Sequence, residues 1–201
     1  MAKPIDFYFD FSSPYGYLAA QKIDELAARH RRGVDWHPIL LGVVFKETGA
    51  QPLTQVPLKG EYSKRDIARS ARFHAIDAFR MPSRFPIPTQ AAARIVLAQK
   101  NTDPDLAKRV AGALYRAYFV DDRDISDPEI AADVAGEAGA DRAAMRAAID
   151  DAIVKEALKD ENVRAIGAGV CGSPFFVVDG EPFWGLDRFP QLERWLEKNG
   201  F

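Results

Sequence analysis

The residues best placed for chemistry are two serines, each followed by a proline, in short motifs near opposite ends of the chain. Ser-Pro-Tyr-Gly occupies residues 13–16, and Gly-Ser-Pro occupies residues 172–174. A serine before a proline starts helices well, because its hydroxyl caps free N–H groups and proline suits the first helical position. The first motif therefore predicts a helix N-terminus that presents the hydroxyl of Ser13, and such an end stabilises an anion.

The elements around the first motif are predicted to be β–α–β. Apolar residues alternate with polar ones from Ile5 to Phe11, which predicts a strand. The helix that begins at Ser13 is expected to end at Gly33, and residues 34–38 predict a second strand that stops at a proline. This arrangement supplies the crossover that two parallel strands need.

The middle of the chain is predicted to be helical. Residues 46–62 are rich in Gly, Pro, Thr and Gln and predict a loop, whereas residues 89–168 are rich in alanine and have a helical period. Helix starts are expected at Asp103 and Asp127, each before a proline, and at Asp141.

The end of the chain returns to strands. Asp-Gly at residues 179–180 predicts a tight turn between strands at residues 175–178 and 181–184, and Asp187 is expected to begin a last helix. The Ser173–Pro174 bond precedes the first of these strands, a position where proline is tolerated, and we expect it to be cis.

Together the two motifs resemble those of a thioredoxin-like domain, in which a strand-to-helix turn bears Cys-x-x-Cys and a cis-proline loop packs opposite it. The resemblance implies an α/β fold with a mixed sheet. Residues 1–45 and 167–201 would form a discontinuous thioredoxin-like domain, and residues 46–166 a large all-helical insertion. Ser13 and Gly16 stand where the redox pair would stand. Because serine and glycine cannot exchange disulfides, a dithiol oxidoreductase working through this motif is excluded.

A thiolate brought by a ligand suits the remaining site, since a helix N-terminus lowers a thiol pKa from its ordinary value of about 8.5. Residues 10–18, 56–62 and 169–187 resemble the 2-hydroxychromene-2-carboxylate isomerase family, which is close to kappa-class glutathione transferases and has a DsbA-like arrangement. The resemblance covers essentially the whole chain and implies glutathione as the cofactor.

The family's binding residues map onto matching positions. The resemblance implies that Ser13 hydrogen-bonds the glutathione sulfur and that Ser173 and Pro174 clamp its cysteinyl part. It implies that Asp187 holds the γ-glutamyl amine and that Lys59 lies beside the tripeptide.

The family reaction interconverts 2-hydroxychromene-2-carboxylate and trans-o-hydroxybenzylidenepyruvate, so a small aromatic keto acid is the implied substrate and aromatic catabolism the implied setting. Reversible thiolate addition to the conjugated double bond, rotation and elimination would complete the isomerisation. Aromatic residues near the predicted cleft are expected to line an apolar pocket for the ring: Tyr15, Phe45, Phe85 and Trp184. Arg84 or Lys59 is expected to meet a carboxylate.

Two other functions stay open. A kappa-like glutathione transferase would share the thiolate site but leave the thiol on its product. A non-catalytic thioredoxin-like binding module is suggested by two departures from the family pattern: Ala50 and Leu186 stand where the family often has Asn, and Ser or Asn, respectively. A purely structural interpretation is also open for these residues. Under it, Ser13 and Asp187 are helix caps without a ligand, and Arg84 and Lys59 are solvated surface charges. For Cys171 and the three histidines structural roles are expected.

Composition excludes several classes of function. The 201 residues include 27 basic and 29 acidic side chains, a net charge of −2, which gives no reason to expect a nucleic-acid partner. No apolar run approaches the roughly 20 residues that span a bilayer. Acidic residues interrupt the apolar stretch of residues 1–10, which therefore predicts a strand rather than the apolar core of a signal peptide. A single cysteine excludes an internal disulfide or a multi-cysteine metal site, and no metal is expected. We expect a cytoplasmic protein, and the resemblance implies a homodimer.

Overall fold

The computed structural model describes residues 3–201, so Met1 and Ala2, with which the first predicted segment begins, lie outside the described residues. The strands are β1 (Ile5–Phe9), β2 (Val34–Pro38), β3 (Phe175–Val178) and β4 (Glu181–Trp184). The helices are α1 (Pro14–Ala20), α2 (Ile23–Arg29), α3 (Leu41–Thr48), α4 (Lys59–Phe73), α5 (Gln90–Lys100), α6 (Pro104–Phe119), α7 (Pro128–Glu137), α8 (Arg142–Asp150), α9 (Ala152–Gly167) and α10 (Phe189–Lys198). Two short 3-10 turns cover Leu53–Gln55 and Leu186–Arg188.

The four strands form one mixed sheet in the order β2-β1-β3-β4. β1 runs parallel to β2, with Ile5 opposite Val34, and β3 runs antiparallel to both β1 and β4. Strands from the two ends of the chain therefore meet between β1 and β3, and the helices α4 to α9 come between them in sequence. The expected thioredoxin-like mixed sheet with a large helical insertion is confirmed.

The segment between β2 and the helical block differs from the predicted loop. α3 extends to Thr48, a 3-10 turn follows, and α4 already begins at Lys59, so residues 46–62 are helical at both ends. The predicted domain boundaries, after residues 45 and 166, fall within α3 and α9 near their C-terminal ends. The division into two domains stays a prediction.

Both faces of the sheet are covered, which explains why the alternation in β1 is incomplete. Phe7 stacks on Phe176 with ring centroids 5.2 Å apart, and Phe9 lies against Tyr115 of α6 on the same face. On the other face a smaller cluster surrounds Tyr8, with contributions from α3 and α9. Tyr8 is therefore buried, although it occupies a polar-face position in the pattern.

Most helix starts follow the sequence signals. The side chains of Asp103, Asp127 and Asp141 cap α6, α7 and α8, as predicted. The single helix expected from Ser13 to Gly33 is wrong, because it breaks into α1 and α2 around residues 21–22, where no proline or glycine marks the break. Among residues 3–201, no helix combines the length and apolar character needed to cross a membrane.

His37 forms the centre of a charged network on β2 that the sequence spacing did not reveal. Its Nδ1 lies 2.6 Å from Glu161 of α9, and its Nε2 lies 3.3 Å from both Asp6 and Asp35. Lys100 pairs with Asp35 at 2.5 Å. Burial opposes a charge on His37, but hydrogen bonds with Asp35 and Glu161 outweigh it and raise the pKa of His37 to about 9. The grouping of Asp6, Asp35 and His37 is close enough for a metal ion, but His37 and Lys100 already pair with its carboxylates.

This network predicts a pH-dependent loss of stability. The pKa of His37 is higher in the folded state than its value of about 6.5 in an unfolded chain, so its stabilisation is complete below pH 6.5 and disappears as the pH rises through 9. Between pH 6.5 and 9.5 we expect the melting temperature of the wild type to fall by roughly 5 °C more than that of His37→Gln. An equal fall in melting temperature for the two proteins across this pH range would contradict the raised pKa of His37.

Candidate active site

A cavity of about 2000 Å³ opens at the N-terminal end of α1, between α3, α4 and the loops that flank the β3–β4 hairpin. All but one of the predicted site residues line it: Ser13, Tyr15, Phe45, Lys59, Phe85, Ser173, Pro174, Trp184 and Asp187. Pockets for drug-sized ligands usually measure about 300–1000 Å³. The cavity therefore has room for two small molecules side by side.

Ser13 caps α1 and is almost fully buried. Its Oγ accepts a hydrogen bond from the amide of Gly16 at 3.0 Å and donates one to the carbonyl of Ser173 at 2.9 Å. Because the next residue is proline, the amide of Tyr15 is the first N–H of the helix, and it has no acceptor among residues 3–201. The hydroxyl thus has its capping role and also ties the helix to the opposing loop.

Asp10, at the end of β1, is a buried carboxylate that the sequence analysis did not single out. It accepts hydrogen bonds from the amide of Ser12 at 2.7 Å, the amide of Leu41 at 2.6 Å and the hydroxyl of Thr89 at 3.0 Å. Burial raises the pKa of Asp10, while these three donors stabilise its charged form and oppose the rise. One carboxylate therefore connects the turn before α1, the start of α3 and the start of α5.

Hydroxyl groups fill the place where a second redox thiol would lie. A Cβ atom at Gly16 would be 2.7 Å from the hydroxyl of Tyr115 and 2.9 Å from that of Ser173. Both hydroxyls are held by the backbone of Asp10. The hydroxyl of Tyr115 donates to the carbonyl of Asp10 at 2.9 Å, and the hydroxyl of Ser173 accepts from the N–H of Asp10 at 3.1 Å. A side chain at Gly16 would therefore require these two hydroxyls to shift.

The Pro174 loop, residues 171–174, lies opposite Ser13. The Ser173–Pro174 bond is cis, as expected, and the carbonyl of Pro174 accepts a hydrogen bond from the amide of Gly185 at 3.0 Å. The amide of Ser173 has no acceptor within the described part of the chain. The indole of Trp184 packs directly over Gly172, which leaves no space for a side chain there. The loop is therefore fixed to the end of β4 and retains a free N–H.

A second cis-proline loop, which the sequence did not predict, forms another wall. Its Phe85–Pro86 bond is cis, and the amide of Ile87 donates to the hydroxyl of Ser12 at 3.3 Å. Phe85 lines the cavity, but the neighbouring Arg84 does not. The side chain of Arg84 lies on the surface and pairs with Asp124 at 2.5 Å, so the structure does not bring it together with the other predicted residues.

The two charged residues predicted for glutathione, Lys59 and Asp187, both line the cavity. Lys59 is the first residue of α4, is exposed, and has no carboxylate within ion-pair distance among residues 3–201. Asp187 lies in the 3-10 turn and pairs with Arg188 at 2.6 Å. The expectation that Asp187 begins the last helix is wrong, because α10 starts at Phe189.

Cys171 lines the cavity as well, but its thiol is not activated. It is half-buried, and burial raises its pKa above the ordinary value. A nucleophilic cysteine needs the opposite shift. The structural role expected for Cys171 stays a prediction.

Comparisons with known proteins give one consistent family. The family model described as "DSBA-like thioredoxin domain" matches residues 4–197. The chain is 27% identical to 2-hydroxychromene-2-carboxylate isomerase of Sphingobium xenophagum, over 98% of this chain and 99% of the relative. It is 27% identical to glutathione S-transferase kappa 2 of Caenorhabditis elegans, over 96% of this chain and 92% of the relative.

A solved structure of 2-hydroxychromene-2-carboxylate isomerase superposes on this fold with a TM-score of 0.87. The two chains are 24% identical, and the match covers 97% of this chain and 95% of that one. The resemblance expected from the motifs is therefore confirmed, and the relatives are isomerases and glutathione transferases.

The hydroxyl-filled space beside Gly16 predicts a strong effect of one added methyl group. We expect Gly16→Ala to destabilise the protein by about 1–3 kcal/mol, the usual cost of overpacking a filled interior. Gly112→Ala is the matched control, because a Cβ at Gly112 in α6 has no atom within 4 Å. That change is expected to stabilise the protein by about 0.4–1 kcal/mol. Urea denaturation of both variants measures the difference. Equal stabilities would show that the hydroxyls of Tyr115 and Ser173 shift at little cost.

Proposed function

We propose that this chain, which belongs to the family of DSBA-like thioredoxin domains, binds glutathione in the cavity and acts as a glutathione-dependent isomerase. The proposed substrates are 2-hydroxychromene-2-carboxylate and trans-o-hydroxybenzylidenepyruvate, or a related aromatic keto acid. The observation that supports it most is that Ser13, the Pro174 loop, Lys59 and Asp187 line one cavity, in a chain similar over its whole length to such an isomerase.

The free groups around the cavity fit the tripeptide. Two backbone amides, those of Tyr15 and Ser173, have no acceptor in the described part of the chain and flank the hydroxyl of Ser13. The ammonium group of Lys59 suits a carboxylate of glutathione, and the carboxylate of Asp187 suits its amine. The redox alternative lacks its thiols, because Ser13 and Gly16 stand at their positions.

The chemistry follows from these groups. When bound, glutathione supplies a thiolate nucleophile for reversible addition to a conjugated double bond. The hydroxyl of Ser13 donates a hydrogen bond to the sulfur instead of to the Ser173 carbonyl, and the N-terminal end of α1 favours the negative charge. Tyr15, Phe45, Phe85 and Trp184 provide apolar surface for the aromatic ring and hold it near the sulfur. The chain thereby lowers a thiol pKa and orients two small molecules.

A kappa-like glutathione transferase is the second candidate, because the chain is 27% identical to both enzymes, over 96% of its length for the kappa enzyme and 98% for the isomerase. The third candidate is a binding module without activity. Leu186, one of the two departures that suggest this module, is buried in the core, and its side chain offers no polar contact to a ligand. The proposal also includes a cytoplasmic homodimer with no nucleic-acid partner, and sedimentation at several concentrations tests its oligomeric state.

One set of assays separates the candidates. The isomerase converts trans-o-hydroxybenzylidenepyruvate only when glutathione is present and accumulates no conjugate. A transferase instead gives a lasting conjugate with a chloronitrobenzene and leaves the keto acid unchanged. A binding module that does not use glutathione gives neither product, and titration calorimetry with glutathione then shows no heat.

Removal of the Ser13 hydroxyl is expected to raise the pKa of bound glutathione. The loss of one hydrogen bond to an anion corresponds to roughly one to two pKa units. Ultraviolet absorbance of the thiolate, titrated against pH, measures this in Ser13→Ala and in the control Ser83→Ala, whose hydroxyl lies outside the cavity and donates to Asp122. A Ser13→Ala curve that coincides with that of the wild type would remove Ser13 from this role.

Asp187→Ala is expected to weaken glutathione binding by roughly tenfold, because a charge-assisted hydrogen bond is lost. The melting temperature of the free protein should stay the same, since the side chain is 70% exposed and its ion pair with Arg188 is a surface one. Calorimetry measures the affinity, with Glu181→Ala, an exposed carboxylate on β4, as the control. Equal affinities in the two variants would contradict the role of Asp187.

A further inference from the structure

A chain of polar contacts links the first turn of α1 to the wall that α4 forms. Tyr62, Asp66 and Arg69 follow one another at helical spacing on α4, and all three line the cavity. The carboxylate of Asp66 accepts hydrogen bonds from the hydroxyls of Tyr15, at 2.6 Å, and Tyr62, at 3.2 Å, and from the guanidinium of Arg69. Asp66 therefore accepts hydrogen bonds from α1, through Tyr15, and from its own helix α4. It fixes the position of Arg69 relative to Tyr15, which lies two residues after Ser13.

The guanidinium of Arg69 is oriented by one of its nitrogens and free at the others. Its Nη2 donates to Asp66 and, at 3.2 Å, to the hydroxyl of Tyr62, and the group lies 5.7 Å from the centre of the Tyr62 ring. Within the described part of the chain, the N–H groups of Nε and Nη1 have no acceptor. An arginine held in this way presents the planar fork that binds a carboxylate with two hydrogen bonds.

The other charged residues on the cavity wall present no comparable fork. Lys46 of α3 lines the wall, is exposed and has no ion pair within the described residues, but its ammonium group is a point charge without the planar fork of arginine. Arg188 is paired with Asp187, and Asp10 is buried among its own donors. Lys59 is assigned to the tripeptide. The surface next to Arg69 is aromatic, because Tyr62 is 61% exposed and Phe73, one turn further along α4, is 83% exposed. A cation beside exposed rings suits a ligand that is both aromatic and anionic.

We infer that Arg69 binds the carboxylate of the second substrate and so determines specificity for acidic over neutral aromatic compounds. Asp66 and Tyr15 are positioning residues, because they act through Arg69. This inference rests on the proposed function for the identity of the substrate, but its core statement, an aromatic acid bound at Arg69, is tested by binding alone.

A matched pair of ligands isolates the carboxylate. One is trans-o-hydroxybenzylidenepyruvate, and the other is o-hydroxybenzylideneacetone, which has the same ring and enone but no acid. Arg69→Gln is expected to raise the KM and the Kd of the acid by roughly 10- to 100-fold, the effect of a lost charge-assisted hydrogen bond. The kcat for the acid and the affinity for the ketone should stay the same.

Arg72→Gln is the control variant, since Arg72 lies on the same helix, has the same charge and does not line the cavity. It should leave every constant within about twofold, as expected for a change in a screened surface charge. Arg69→Lys keeps the charge and should restore part of the lost affinity. Tyr15→Phe removes one hydrogen bond to Asp66 and should raise the KM of the acid by roughly fivefold while sparing that of the ketone.

The outcomes separate this inference from the proposed function. Absence of glutathione binding in the wild type defeats the proposed function, but direct calorimetry of the acid against wild type and Arg69→Gln still decides the inference. Equal affinities of these two proteins for the acid would overturn it, as would a wild type that does not bind the acid. Arg69→Gln losing acid and ketone alike would mean that the variant disturbs the wall rather than a specific contact, which also overturns it.

Discussion

The buried carboxylate of Asp10 is the constraint on which the site depends. A carboxylate this far from water is retained only when donors surround it, since an unpaired buried charge costs several kcal/mol. The donors come from the turn before α1, from the first residue of α3 and from the residue before α5. Its backbone adds Tyr115 of α6 and Ser173 of the Pro174 loop. Elements from both ends and the middle of the chain are therefore held at fixed positions around the end of β1.

This frame separates fold from chemistry. The turn after β1 and the cis-proline loop keep the relative placement that serves thiol exchange in thioredoxin-like proteins, but hydroxyls stand in place of the thiols. The hydroxyl of Ser13 donates to the carbonyl of Ser173, and those of Ser173 and Tyr115 hydrogen-bond the backbone of Asp10. Function then depends on the side chains that the frame presents rather than on the frame itself. Under the proposed function, the sulfur comes with the ligand, and the protein keeps only the groups that stabilise its charge.

Local patterns in the sequence predicted the parts of the structure that local forces decide. The strands, the Asp179–Gly180 turn, the aspartate caps and the serine–proline helix start all follow from neighbouring residues. The partners of Asp10 did not, because they lie 31, 79 and 105 residues away along the chain. α4 was missed for a local reason: it begins after Leu58, which has a positive φ and offers no side-chain cap. Because the start of α4 was not recognised, the sequence did not predict that Tyr62, Asp66 and Arg69 lie on one face of a helix.

The hydroxyl of Ser13 can donate one hydrogen bond, and in this structure it donates that bond to the carbonyl of Ser173. A neutral thiol is a weak acceptor and cannot compete with an amide carbonyl, whereas a sulfur anion can. Under the proposed function, the site therefore stabilises the thiolate form of the bound thiol and not its neutral form. When that anion leaves, the carbonyl of Ser173 accepts the hydrogen bond again, so the buried hydroxyl of Ser13 has an acceptor in both states.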